Sequence, residues 1–174
     1  ACDTGICGHA FGEMMPLTVG VLAMDHIAAG LVDGSRIVGP IRSFPPGGGS
    51  NDSLSALPPD QITRAIGQLV EDVSQGQTVD AVGVGFPGVI RSGVVEDSPN
   101  MPQMKGAPLG RALNDLLGAA CRVLVLNDAD AVAAGVAASR GELDTLTRVW
   151  TLGGGVGFGR YPQSAGVWEG GHVV

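Results

Sequence analysis

The sequence predicts an α/β protein built on a mixed sheet, with its elements in the order βββαβαβα. Three observations lead there. Three apolar, strand-like segments follow one another between residues 17 and 41, joined by connections short enough to be tight turns. Two helical repeats of apolar residues then alternate with short runs rich in β-branched residues. Finally, the strand-like VLVL at 123–126 breaks at Asn127-Asp128 and passes into an alanine-rich stretch of strong helical propensity.

Each element has its own signal. LTVGVLA at 17–23 and IAAGLV at 27–32 are apolar throughout, with Met24-Asp25-His26 between them. Asp33-Gly34 is a hairpin signal leading into a third strand at 37–41, which makes an antiparallel meander. FPPGGGSNDSLSALPP is loop by its proline, glycine and serine content. A helix is predicted over 60–73, where Ile62, Ala65, Ile66, Leu69, Val70 and Val73 share one face, with paired prolines and Asp60 at its start. DAVGVG at 80–85 is the next strand and ends at GFPG; a small hairpin around Arg91-Ser92-Gly93 and a loop over 96–106 follow. The second helix, 108–117, aligns Leu109, Leu113 and Leu116, with Pro108 in its first turn and Gly118 at its end. After the alanine-rich helix and a loop over 141–147, RVWTL at 148–152 is a further strand that runs into GGGVGFG.

Length and charge narrow the function. The 174 residues suit one domain with a proper core, or a domain plus part of another. Residues 17–147 are the expected domain, preceded by a leader at 1–16 and followed at 148–174 by the first strands of a second, truncated lobe. A net charge of −7 with no Lys/Arg cluster argues against a nucleic-acid backbone as the main partner. No apolar run approaches the ~20 residues that cross a bilayer, and no secretory signal is present, so the cytoplasm is the default location. Cys2, Cys7 and Cys121 do not read as a disulfide framework, and Cys2, Cys7 and His9 match no zinc spacing.

The chemistry centres on Asn127-Asp128. In open α/β sheets ligands bind at the carboxyl ends of the strands, and a helix N-terminus favours anionic groups. From these residues alone, Asp128 reads first as a helix cap, with part of a ligand site as the alternative. The βββαβαβα order is that of the ribonuclease H-like fold of actin/hexokinase-type ATPases. Nucleases share it, but they need converging acidic residues, for which Asp25, Asp128 and Asp130 are the candidates.

Five motifs in order are more specific: GFPGVI at 85–90, SPNMP at 98–102, LNDADAVAAG at 126–135, TLGGGVGFG at 151–159 and EGGHVV at 169–174. In sequence, order and spacing this resembles the ROK family of bacterial glucokinases and related sugar kinases. The resemblance implies transfer of a γ-phosphoryl group from ATP, or from polyphosphate, to a hexose such as glucose. It places the general base on Asp128, and sugar contacts on Gly88, Asn100, Asn127, Asp128, Glu169 and His172. Gly153, Gly154, Gly155 and Gly157 match the family's second phosphate loop, where backbone N–H groups face the nucleotide. The expected partners are a small sugar and either a second copy or a missing lobe, the latter two because Trp150, Val156, Phe158 and Trp168 are expected to be exposed.

The departures from the family pattern matter as much. Its first phosphate loop carries Asp-x-Gly-Gly-Thr between the first two strands; here Met24-Asp25-His26 stands there without glycine, and Asp25 alone remains as a candidate magnesium ligand. Gly154 replaces a hydroxyl residue of the second loop. The family's Cys-rich zinc motif is absent, which leaves His172 without its cysteine partners. A catalytically silent sugar-binding or interaction protein that keeps the kinase fold is therefore the alternative expectation.

Overall fold

The computed structural model describes residues 17–47, 54–152 and 156–162. Its central sheet is formed by β1 (Thr18–Ala23), β2 (Ile27–Asp33), β3 (Arg36–Phe44), β4 (Ala81–Phe86) and β7 (Arg122–Asn127), in the order β3-β2-β1-β4-β7. The first three strands are the antiparallel meander, and β1, β4 and β7 run parallel. Parallel strands need crossovers, supplied by α1 (Pro59–Ser74) between β3 and β4 and by α2 (Leu109–Leu117) before β7. Between β4 and α2 lies a small hairpin, β5 (Val89–Arg91) with β6 (Val94–Asp97). After β7 come α3 (Asp128–Arg140) and a second hairpin, β8 (Thr147–Leu152) with β9 (Val156–Tyr161).

The register explains the core. Val19 and Val21 pair with Val82 and Val84, and Val82 and Val84 in turn pair with Val123 and Val125, so one sheet face is a continuous β-branched surface. Onto it α1 lays the predicted stripe: Ile62, Ile66 and Val70 are essentially inaccessible, and Leu69 and Val73 nearly so. Leu109 and Leu113 of α2 extend the same core. A Pro at the first turn opens the first helix, as its sequence signals require, and a left-handed Gln75 closes it.

The opposite face is different. Gly20 pairs with Gly30 and Gly83 across it, Gly85 stands between Leu22 and Leu126, and α3 covers it over β4 and β7. Small residues permit that close approach: a Cβ at Gly85 would lie 3.0 Å from the Cβ of Ala131. Over β3 and β7 the face keeps large apolar side chains in water, with Ile37, Ile41 and Leu124 about three-fifths exposed (61%, 58% and 58%).

Three elements differ from the sequence reading. β3 runs to Phe44, because a register shift around Ala29/Leu31 lets the edge strand continue past Gly39-Pro40. A single 3-10 turn, Pro102–Met104, sits inside the expected loop and buries Met104. VGFGRY forms strand β9, since the glycines at 157 and 159 alternate with larger residues at the strand period of two. The expected exposure at this end holds for Trp150 and Val156, but Phe158 is half-buried against the Trp150 ring, centroids 4.9 Å apart. Trp168 and residues 1–16, the expected leader, lie outside the described residues.

Candidate functional site at the carboxyl edge of the sheet

Strands β1, β4 and β7 all end at the same edge of the sheet. β1 ends in the turn 24–26, β4 in Pro87-Gly88, and β7 in Asn127 followed by Asp128. The topology therefore gathers Asp25, Gly88, Asn127 and Asp128 at the place where open α/β sheets bind ligands.

Asn127 organises this edge. Its Oδ1 accepts the N–H groups of Ala129 (2.9 Å) and Asp130 (3.2 Å), capping α3, while its Nδ2 donates to the Gly88 carbonyl at 3.0 Å. The helix cap is thus Asn127, and the reading of Asp128 as a cap is corrected: Asp128 is the first helical residue, half-buried. Both acceptor positions of the Asn127 amide are committed, so what it has left to offer a ligand is one N–H. Asp128 stands in the first turn of α3, at the positive end of the helix.

Gly88 is required by its surroundings. Its φ is +118°, and a Cβ there would overlap the Asp97 carbonyl oxygen and lie 2.9 Å from the Ser98 Cα. The missing side chain thus lets the 86–88 turn sit directly on the start of the SPNMP segment, bringing that loop to the same edge. Asn100 occupies an exposed position in the turn closed by Met101 N–H to Ser98 carbonyl at 3.1 Å. Met101 and Met104, both buried, pin this loop to the core. The Ser98 hydroxyl is buried with no partner among the described residues.

The β8–β9 hairpin closes on the other side of α3. The Asp130 carboxylate accepts the Arg160 N–H at 2.8 Å, and Gly159 is buried against the backbone of Ala129. Gly157 pairs with Thr151 within the hairpin; a Cβ at 157 would overlap the Thr151 hydroxyl and lie 3.5 Å from the Ala129 Cβ. Gly157 is therefore a packing residue of a strand facing the first turn of α3. Gly153, Gly154, Gly155, Glu169 and His172 fall outside the described residues.

At the β1–β2 turn, the Met24 N–H donates to the His26 carbonyl at 2.9 Å, and Asp25 lies 3.6 Å from the His26 imidazole. Among the described residues no three His, Cys, Asp or Glu side chains gather as metal ligands. A lone carboxylate still suits magnesium, which is held mainly by phosphate and water. Sequence reasoning named Asp25, Gly88, Asn100, Asn127 and Asp128, but it gave Asp130 only a nuclease role and left Ser98 unremarked beyond its place in the motif.

No family model matches the chain. A glucokinase from Thermotoga maritima is 34% identical to it over 115 residues, 63% of this chain and 35% of that protein. Among solved structures, an inorganic polyphosphate/ATP-glucomannokinase from Arthrobacter sp. strain KM superposes with a TM-score of 0.69 at 25% identity, covering 86% of this chain and 62% of its own. A ROK family glucokinase from Streptomyces griseus, solved with glucose and AMPPNP, gives 0.64 at 32% identity, over 83% of this chain and 44% of its own. The chain spans roughly a third to three-fifths of the length of these relatives (35%, 62% and 44%). These likenesses bear out the actin/hexokinase-type ATPase fold expected from the element order. No helix among the described residues is long and apolar enough to cross a membrane.

Proposed function

We infer from this likeness to ROK-family sugar kinases, in both sequence and fold, that the chain forms the sugar-binding side of a hexose kinase, with Asp128 as general base. The observation that carries the reading is the division of labour at the carboxyl edge: Asn127 caps α3, so the neighbouring carboxylate is not needed for that purpose. Asp128 then takes the proton of the attacking sugar hydroxyl as the new oxygen–phosphorus bond forms. The bond from the γ-phosphorus to its bridging oxygen breaks, and the shortened phosphate chain leaves with that electron pair. Asn127 contributes its remaining N–H to a sugar oxygen, and Asn100 is exposed to reach another. Asp25 is the residue that would hold magnesium, whose role is to neutralise charge on the phosphates.

Glu169 and His172 complete the sugar contacts in this proposal, and Gly153, Gly154 and Gly155 the contacts to the phosphoryl donor, ATP or polyphosphate. The test combines calorimetry with a transfer assay. Glucose should bind saturably, and phosphoryl transfer from ATP or polyphosphate should vanish in Asp128→Asn while glucose binding persists. Absence of glucose binding in the parent protein sinks the proposal.

A second reading, sugar binding without transfer, is favoured by the β1–β2 turn. There a bulky, 44% exposed Met24 and the bond from its N–H to the His26 carbonyl occupy the position where the family brings glycine backbone to the phosphates. Glucose binding with no nucleotide or polyphosphate binding would select this reading.

A further inference from the structure

We propose that Asp130 is a positioning residue that clasps β9 to the first turn of α3, so that the β8–β9 hairpin and Asp128 move as one body. The inference rests on the sugar-kinase reading of Asp128 above. Three observations carry it. The Asp130 Oδ1 accepts the backbone N–H of Arg160 at 2.8 Å, across 30 residues of sequence. Gly159, next to it, is buried against the Ala129 carbonyl, with the Asp130 nitrogen 2.6 Å from where its Cβ would be, so that no side chain fits between strand and helix. Among the described residues, the hairpin's main attachment to the rest of the molecule is α3 itself.

Capping does not explain the carboxylate at 130, because the Asn127 amide already serves the first turn. A charge-assisted bond to a backbone N–H is stronger than a neutral one. Residue 130 lies two positions after the proposed base, within the same turn. The clasp therefore fixes the base relative to a hairpin whose main attachment, among the described residues, is that same helix. Loosening it should misplace the proton acceptor while leaving most of the sugar contacts intact, an effect on turnover more than on sugar affinity.

The test compares Asp130→Ala with Asp130→Asn, whose amide oxygen can still accept the Arg160 N–H. Asp130→Ala should lower kcat about tenfold with the KM for glucose within about twofold, and should speed hydrogen exchange at the Arg160 amide about tenfold. Asp130→Asn should recover most of both. Unchanged kcat in Asp130→Ala, a matching rise in KM, or an Arg160 amide that exchanges without protection in the parent overturns the role while the kinase reading stands. A parent protein that binds no glucose and transfers no phosphoryl group removes both. If Asp130→Ala does not fold, Asp130→Asn decides: kcat within about twofold of the parent supports the clasp, and a loss of about tenfold overturns it.

Discussion

Replacing Asn127 by alanine removes three hydrogen bonds at one stroke: the acceptances from Ala129 and Asp130, at 2.9 and 3.2 Å, and the donation to Gly88 at 3.0 Å. Loss of an N-cap costs about 1 kcal/mol, within a range of roughly 0.5–2. Loss of the part-buried bond to the Gly88 carbonyl adds about 1 kcal/mol. Asn127→Ala should therefore destabilise the fold by about 2–3 kcal/mol, a drop in Tm on the order of 5–10 °C for a chain of this size. Asn127→Asp is the discriminating partner. It keeps both acceptances and adds favourable charge at the helix N-terminus, losing only the link to Gly88, so it should cost about 1 kcal/mol. Urea unfolding followed by far-ultraviolet circular dichroism reads both values. Should the two variants agree within about 0.5 kcal/mol, or the alanine cost less than that, Asn127 would not join cap and loop as described.

Other positions give independent tests. Gly88→Ala should cost more than about 2 kcal/mol in the same unfolding assay, because the new methyl meets the backbone of Asp97 and Ser98 at a φ of +118°. A cost below about 1 kcal/mol would mean that the two loops do not meet as described. Ser98→Ala should leave stability unchanged or raise it by about 1 kcal/mol, since the hydroxyl is buried with no partner among the described residues. Burial, with a smaller contribution from the Asp80 charge, pushes the Cys121 thiol above its ordinary range. The unfolded chain then loses this proton first, so stability holds up to about pH 8.5 and declines from there toward the raised folded value. Cys121→Ala should flatten that alkaline decline, and an unchanged slope would assign it to another group.

The parts of the fold legible in the sequence were those set by period and punctuation. The α1 stripe from Ile62 to Val73 and the Asp33-Gly34 hairpin announce themselves, because the core demands a 3.6-residue repeat and the turn a particular backbone. Strand β9 did not, because Gly157 and Gly159 suppress the apolar signal; those glycines exist to fit against Thr151 and Ala129, contacts that no local pattern encodes. The site was divided likewise. Asn127-Asp128 stood out at the end of a β-branched run, but which of the two caps α3 depends on side-chain geometry that the dipeptide leaves open. The role of Asp130 depends on a strand 30 residues away. The motifs read through family resemblance at Gly88 and Asn100 arrive at one edge of the sheet only because Gly88 lets its turn rest on Ser98.

The central claim is that a sugar occupies the carboxyl edge of β4 and β7 beside Asp128. A glucose titration followed residue by residue through backbone amide NMR shifts tests it most directly. Saturable shifts centred on Gly88, Asn127, Asp128 and Ala129, with β2 and β3 unmoved, are the predicted result. Absence of shifts, or shifts centred on the exposed face of Ile37 and Ile41, would contradict it.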